Sequence, residues 1–104
     1  MSDLVKIQGN CGNKPELRYT QTAKPVCNFS IYENQFTSVD GKITKSVKRT
    51  RVTCWDDLAQ SASEALDKGS RCTVEGILRP HQWTDKSGQV HDEIELVARN
   101  IENS

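Results

Sequence analysis

The chain has 104 residues, enough for one domain whose core folds unaided. Lys and Arg number 14 and Asp and Glu number 14, so the formal charge is zero, which argues against a generic basic tail protein. No apolar run approaches the length of a membrane span, and the opening MSDLVKIQG lacks a signal-peptide core. The expectation is a cytoplasmic, nucleoid-associated protein with no membrane partner, or a stromal one if plastid-encoded.

In chain order, Leu4 to Gln8 reads as a first strand, broken by Gly9-Asn10-Cys11-Gly12-Asn13. The turn-prone Lys14-Pro15-Glu16 leads into a short extended piece, Leu17 to Thr20. Val26 to Tyr32 alternates, with Cys27, Phe29 and Ile31 on one face and Asn28, Ser30 and Tyr32 on the other. Glu33 to Asp40 is polar and reads as a loop carrying Phe36, and Asp40-Gly41 is a hairpin signal. Ile43 to Trp55 resumes as a strand, with Val52 and Cys54 facing one way and Arg49, Arg51, Thr53 and Trp55 the other. Asp56 to Gly69 is the convincing helix. It has Asp56 as its cap, an apolar stripe of Leu58, Ala62, Ala65 and Leu66, and Lys68-Gly69 at its end. Two long strands follow, Ser70 to Trp83 with a kink at Gly76, and Gln89 to Ile101 with Ile94, Leu96 and Ala98 as the inward row.

Three strands, one helix and two strands leave a sheet that a single short helix cannot cover on both faces. Curling five strands into a small all-β barrel, with the helix plugging one end between strands three and four, buries the apolar rows and limits free edges. That is the OB-type architecture, here spanning residues 1–104 as one domain.

Arg79, His81 and Trp83 fall at alternate positions and so project together beside the turn that begins at Thr84. A large aromatic among cations on a solvated face suits a polyanion carrying flat rings, which describes single-stranded nucleic acid. Trp83 reads as a stacking platform, against an alternative as an anchor packed under the turn. Trp55 reads as a second platform, against packing on the helix, and Phe36 as a ligand or subunit contact. Tyr19 and Tyr32 read as barrel-surface or interface residues. Lys42, Lys45, Lys48, Arg49 and Arg51 lie within ten positions that hold no acid. Lys42, Lys45 and Lys48 read as a hairpin arm approaching the phosphates, against an alternative as a solubilising loop, and Arg49 and Arg51 read as phosphate contacts beside it. The acids cluster elsewhere, at Asp56, Asp57, Glu64 and Asp67 and again at Asp92, Glu93 and Glu95.

The four cysteines show neither CxxC spacing nor paired histidines, so no metal or cofactor is expected. Cys27, Cys54 and Cys72 alternate with apolar neighbours and read as small buried groups with free thiols, against the alternative of a disulfide framework. His81 and His91 read as surface residues. No nucleophile–base pairing, paired carboxylates or glycine-rich phosphate loop stands out, and the expectation is a protein without catalytic activity.

The segments GNKPELRYTQT, VCNFSI, RVTCWDDLAQSASEALDKGSRCTVEGILR and QWTDKSGQ, in this order, resemble the bacterial single-stranded DNA-binding protein family from about Leu4 to Ile101. The resemblance implies an OB fold, homo-oligomers (commonly tetramers), and sequence-tolerant binding of single strands without catalysis, in replication, repair or recombination. By position it implies stacking roles for Trp83 and Trp55 and a nearby loop aromatic at Phe36. Arg18, Arg51, Lys68 and Arg79 match basic positions that meet phosphates or support the groove. The chain departs from the pattern at Arg49 and Thr50, where the family has an aromatic and a histidine that packs between subunits, and at Asp56 and Asp57, where it has glycine and lysine. The family's acidic, phenylalanine-ending tail, which recruits replication and repair proteins, has no counterpart after Ile101, which fits either a short form of the family or the binding domain of a longer protein. Two alternatives follow from these departures: a primosome-type dimeric OB protein, and an OB domain used mainly for protein contacts.

Overall fold

The computed structural model describes residues 4–103 as β1 (Val5–Cys11), β2 (Glu16–Tyr19), β3 (Pro25–Val39), β4 (Lys42–Trp55), α1 (Asp56–Ala65), β5 (Arg71–Thr84) and β6 (Val90–Asn103). The strands lie in the order β1-β5-β6-β4-β3-β2, and a further pairing of β1 with β3 closes five of them into a barrel. Counting barrel strands alone, the helix falls between the third and fourth, as expected of an OB-type fold. Short β2 is an addition, paired with the outer edge of β3 from Glu16↔Asn28 to Tyr19↔Pro25. No helix among the described residues is long and apolar enough to cross a membrane.

The core is built from the alternating rows. Cys27, Phe29 and Ile31 of β3, Val52 and Cys54 of β4, Cys72 and Val74 of β5, and Leu96 and Ala98 of β6 are all buried. α1 adds Ala59 and Ala62, whose small side chains let it lie close to β3, and Leu66 enters the core just beyond it. All four cysteines are free and buried. Burial raises the Cys27 and Cys54 thiols, the latter to about 12, so both are neutral packing groups at physiological pH. The Cys11 and Cys72 sulfurs lie 3.7 Å apart and share a thiol hydrogen bond.

The structure corrects five local expectations. Gly9 does not break the first strand, which runs on to Cys11. Here β1, still paired with β5 at Asn10↔Arg71, gains β3 on its other side through Asn10↔Tyr32 and Cys11↔Ile31, and a Cβ on Gly9 would sit 2.5 Å from the Tyr32 carbonyl oxygen. Glu33 to Val39 is strand, held by the β4 ladder from Glu33↔Lys48 to Val39↔Lys42, so Phe36 is on a ribbon and not in a loop. Polar composition there reflects a ribbon solvated on both faces. Ile94 keeps the parity of Leu96 but lies beyond the end of the barrel and is exposed. Asp56 caps nothing: Trp55 holds the N-cap position, without a side-chain cap bond, and Asp56 takes φ 60°. The helix ends at Ala65, four residues short of Gly69, because Leu66 turns extended to bury its side chain while Ala65 stays exposed.

Gly76 marks the kink expected of it. The β5–β6 register shifts between Glu75 and Gly76, and an added Cβ would collide with the Val97 carbonyl oxygen. Backbone cannot yield there as a flexible side chain would. Gly76→Ala is therefore expected to cost about 1–3 kcal/mol, read as a lower urea midpoint with unchanged slope.

Candidate nucleic-acid interface

Asp40 and Gly41 take φ 51° and 76°, the left-handed backbone of a two-residue hairpin turn. That turn fixes the β3–β4 register, and directly opposed residues share a face. Phe36 lies opposite Lys45, Tyr32 opposite Arg49, Ser30 opposite Arg51, and Val26 opposite Trp55. β2 extends the last pair, because Arg18 lies opposite Val26. On the other side, Arg51 pairs with Glu95 of β6, which pairs with Arg79 of β5. Alternation along β5 then adds His81 and Trp83 to the same outer wall.

One face therefore carries Arg18, Tyr32, Phe36, Lys45, Arg49, Arg51, Trp55, Arg79, His81 and Trp83. Its rings are open to solvent: Trp55 is 36 % exposed, Trp83 40 %, Tyr32 41 % and Phe36 68 %. Neither indole is a core anchor. They do not touch: Trp55 and Trp83 lie four residues to either side of the Arg51–Glu95–Arg79 row, about 26 Å apart along the strands at ~3.3 Å per residue. Lys42 and Lys48 have the opposite parity and point to the other face of the ribbon. Lys68 lies in the turn after α1, beside the end of β1 where Gly69 bonds Cys11, and is outside the wall.

Beyond Arg51 the two long ribbons separate, leaving a cleft of about 310 Å³ lined by Arg49, Arg51, Glu93 and Ile94. Beside it, a hollow of about 170 Å³ is lined by Asn13, Asn28, Ser30 and the same two arginines. Arg49 Nε donates to Ser30 Oγ at 3.0 Å, which holds the guanidinium over the hollow. Arg51 Nη1 is 4.0 Å from Glu93 Oε2, and its buried Nε has no hydrogen-bond partner.

Carboxylates share this wall, contrary to the separation expected from the sequence. Glu95 accepts from Thr53 Oγ1 at 2.9 Å, and Glu93 lies opposite His81. Cation and acid segments that stand forty residues apart in sequence meet because β6 lies between β5 and β4.

Trp83 and His91 form a stack, with ring centroids 4.4 Å apart and planes 15° from parallel. His91 Nε2 lies 2.7 Å from Asp85 Oδ2, while Asp85 Oδ1 accepts from the Ser87 and Gln89 backbone N–H groups and from Ser87 Oγ. Asp85 thus ties the β5–β6 turn together, and these donors, Ser87 and His91 first, lower its carboxyl to about 2. At the other end, Lys24 Nζ sits 5.5 Å from the centre of the Trp55 ring, a cation–π contact. Lys24, Tyr32, Asp85 and His91 were not among the residues singled out for the site. Tyr32 was within reach of the sequence, since a two-residue turn at Asp40-Gly41 dictates its pairing with Arg49. His91 was not, because its distance from Trp83 depends on the length and path of the turn between them.

The single-strand binding protein family model matches residues 3–104. The chain belongs to this family. It is also 35 % identical, over 107 aligned positions covering 98 % of this chain and 78 % of the relative, to "Single-stranded DNA-binding protein 1" of Xylella fastidiosa (strain 9a5c). The family match thus spans the barrel and both ribbons that form the wall.

The Asp85 network has a pH signature. Because its carboxyl falls from 3.8 to about 2 in the folded chain, its contribution to stability is complete above pH 3.8 and is lost as pH drops toward 2. In thermal melts, Asp85→Asn should lower the midpoint by a constant amount at neutral pH, with the gap to the parent closing between pH 3.8 and about 2.

Proposed function

We propose that the protein binds single-stranded DNA without sequence preference and without catalysis, in support of replication, repair or recombination in a bacterial cytoplasm. The observation that carries this reading is the single outer wall on which exposed rings alternate with guanidinium groups, in a member of the single-strand binding family. Every base has a flat face, so stacking on Trp83, Trp55, Phe36 and Tyr32 is indifferent to sequence. Arg18, Arg49, Arg51, Arg79 and Lys45 meet the phosphates between stacked bases, and Arg49 supplies a guanidinium plane where the resemblance implies an aromatic ring. Lys42, Lys48 and Lys68 stand off the wall and contribute long-range attraction.

The same family membership supports assembly with copies of itself. Val5 to Gly9 pair with β5 on one side only, leaving a strand edge open. Val5, Ile7, Leu78 and Ile94 line an adjoining groove of about 320 Å³, with Leu78 and Ile94 exposed. Light scattering should return a mass of two or four chains; a single-chain mass would remove self-association from the proposal.

Titration with oligo-dT in low salt tests the binding itself. Tryptophan emission should change on binding, and log K should fall with log[salt] by about 0.7 for each phosphate neutralised. Unaltered emission together with no retention of DNA would end this reading. Trp83→Ala should cost about 1–3 kcal/mol of binding, and the same measurement on Trp55→Ala ranks the two platforms. Glu93→Gln should tighten binding by roughly two- to fivefold, because the carboxylate competes with phosphate for Arg51 at a partly solvated site. An affinity unmoved by that change would show that Glu93 does not hold Arg51 back.

A further inference from the structure

The geometry points to His91 as the residue that positions Trp83 for stacking, with Asp85 holding His91 in place. This deepens the proposed single-strand binding and rests on it. An indole at the root of an exposed hairpin has two rotatable bonds, and ordering it at the moment of binding costs affinity. Here the ordering is already done. The imidazole lies flat against one face of the indole at 4.4 Å and 15°, close to the offset-stacked arrangement aromatic pairs prefer. The imidazole is itself tied by the 2.7 Å contact of Nε2 with Asp85 Oδ2. An ionised carboxylate only accepts, so Nε2 carries the proton and the tautomer is set by Asp85. Three further donors to Oδ1 keep Asp85 from turning.

With one indole face covered by His91, Trp83 offers a single face, and a base completes a three-layer stack of imidazole, indole and base. Trp83 then takes one base on one side and does not intercalate between two neighbours. At the far end of the wall, the Lys24 ammonium lies 5.5 Å from the centre of the Trp55 ring. The two indoles therefore have different neighbours, a stacked imidazole at Trp83 and a flexible cation at Trp55.

The test uses the full chain carrying Trp55→Phe, so that Trp83 is the sole indole, with His91→Ala and His91→Phe added separately. In the free protein, His91→Ala should lower the indole fluorescence anisotropy, and His91→Phe, which restores a flat ring, should return it. In oligo-dT titrations, His91→Ala should weaken binding by roughly three- to tenfold, the cost of ordering one side chain, while His91→Phe stays within about twofold. A side chain that merely supported the fold would not be rescued in anisotropy by a ring lacking the hydrogen bond to Asp85. Equal losses in both variants would show that a flat ring at this position does not order Trp83, and would overturn the proposal. So would a His91→Ala variant with unchanged anisotropy. Binding by the His91→Ala protein equal to that of its Trp55→Phe parent would overturn it too. Failure of that parent, and of the unmodified chain, to bind any DNA would instead strike the proposed function, while the free-state anisotropy would still decide whether His91 holds the ring.

Discussion

The two-residue turn at Asp40-Gly41 is the constraint on which the outer wall depends. Strand side chains alternate with a period of two, so a slip of one residue would send the whole outward row of β4 inward. With both turn residues in the left-handed region, Val39 faces Lys42 and every later pair follows down to Val26 and Trp55. Core and ligand face are set together: the register that buries Val52 against Phe29 also puts Arg51 beside Ser30 and Arg49 beside Tyr32. A polar ribbon without this turn would have little else to specify its register, since residues 34–48 are exposed on both faces.

Zero net charge sets the electrostatic character of the wall. Arg51 and Arg79 flank Glu95, and Glu93 reaches toward Arg51, so cations are interleaved with carboxylates. In water-exposed positions such pairs are weak. In the proposed binding mode, a wall of interleaved charges leaves more of the affinity to stacking than an uninterrupted basic groove would, which places weight on how firmly the rings are held.

Much of this was legible in the sequence, and for identifiable reasons. The inward rows Cys27-Phe29-Ile31 and Val52-Cys54, the Asp40-Gly41 turn, the Gly76 kink and the placement of the helix all express local rules of alternation, turn geometry and helical spacing. Where the reading failed, a long-range contact outvoted a local signal. Gly9 has the local signature of a strand break, yet it stands where β1 comes close against β3 to close the barrel. Glu33 to Val39 looked like a loop because ribbon residues solvated on both sides lack the alternation that reveals a strand. The helix stopped at Ala65 because burying Leu66 was worth more than another helical turn.

The amino-acid order by itself determined the elements, the closed barrel and the presence of ring-and-cation strands, since these follow from side-chain period and from residues needing left-handed backbone. Only the tertiary structure decided which strands became neighbours. That step brought Glu93 and Glu95 onto the cationic wall and laid His91 against Trp83, with Asp85 bonded to it. The physical reason is that strand neighbours are chosen by closing a cylinder around a common core, and residues distant along the chain meet as its by-product.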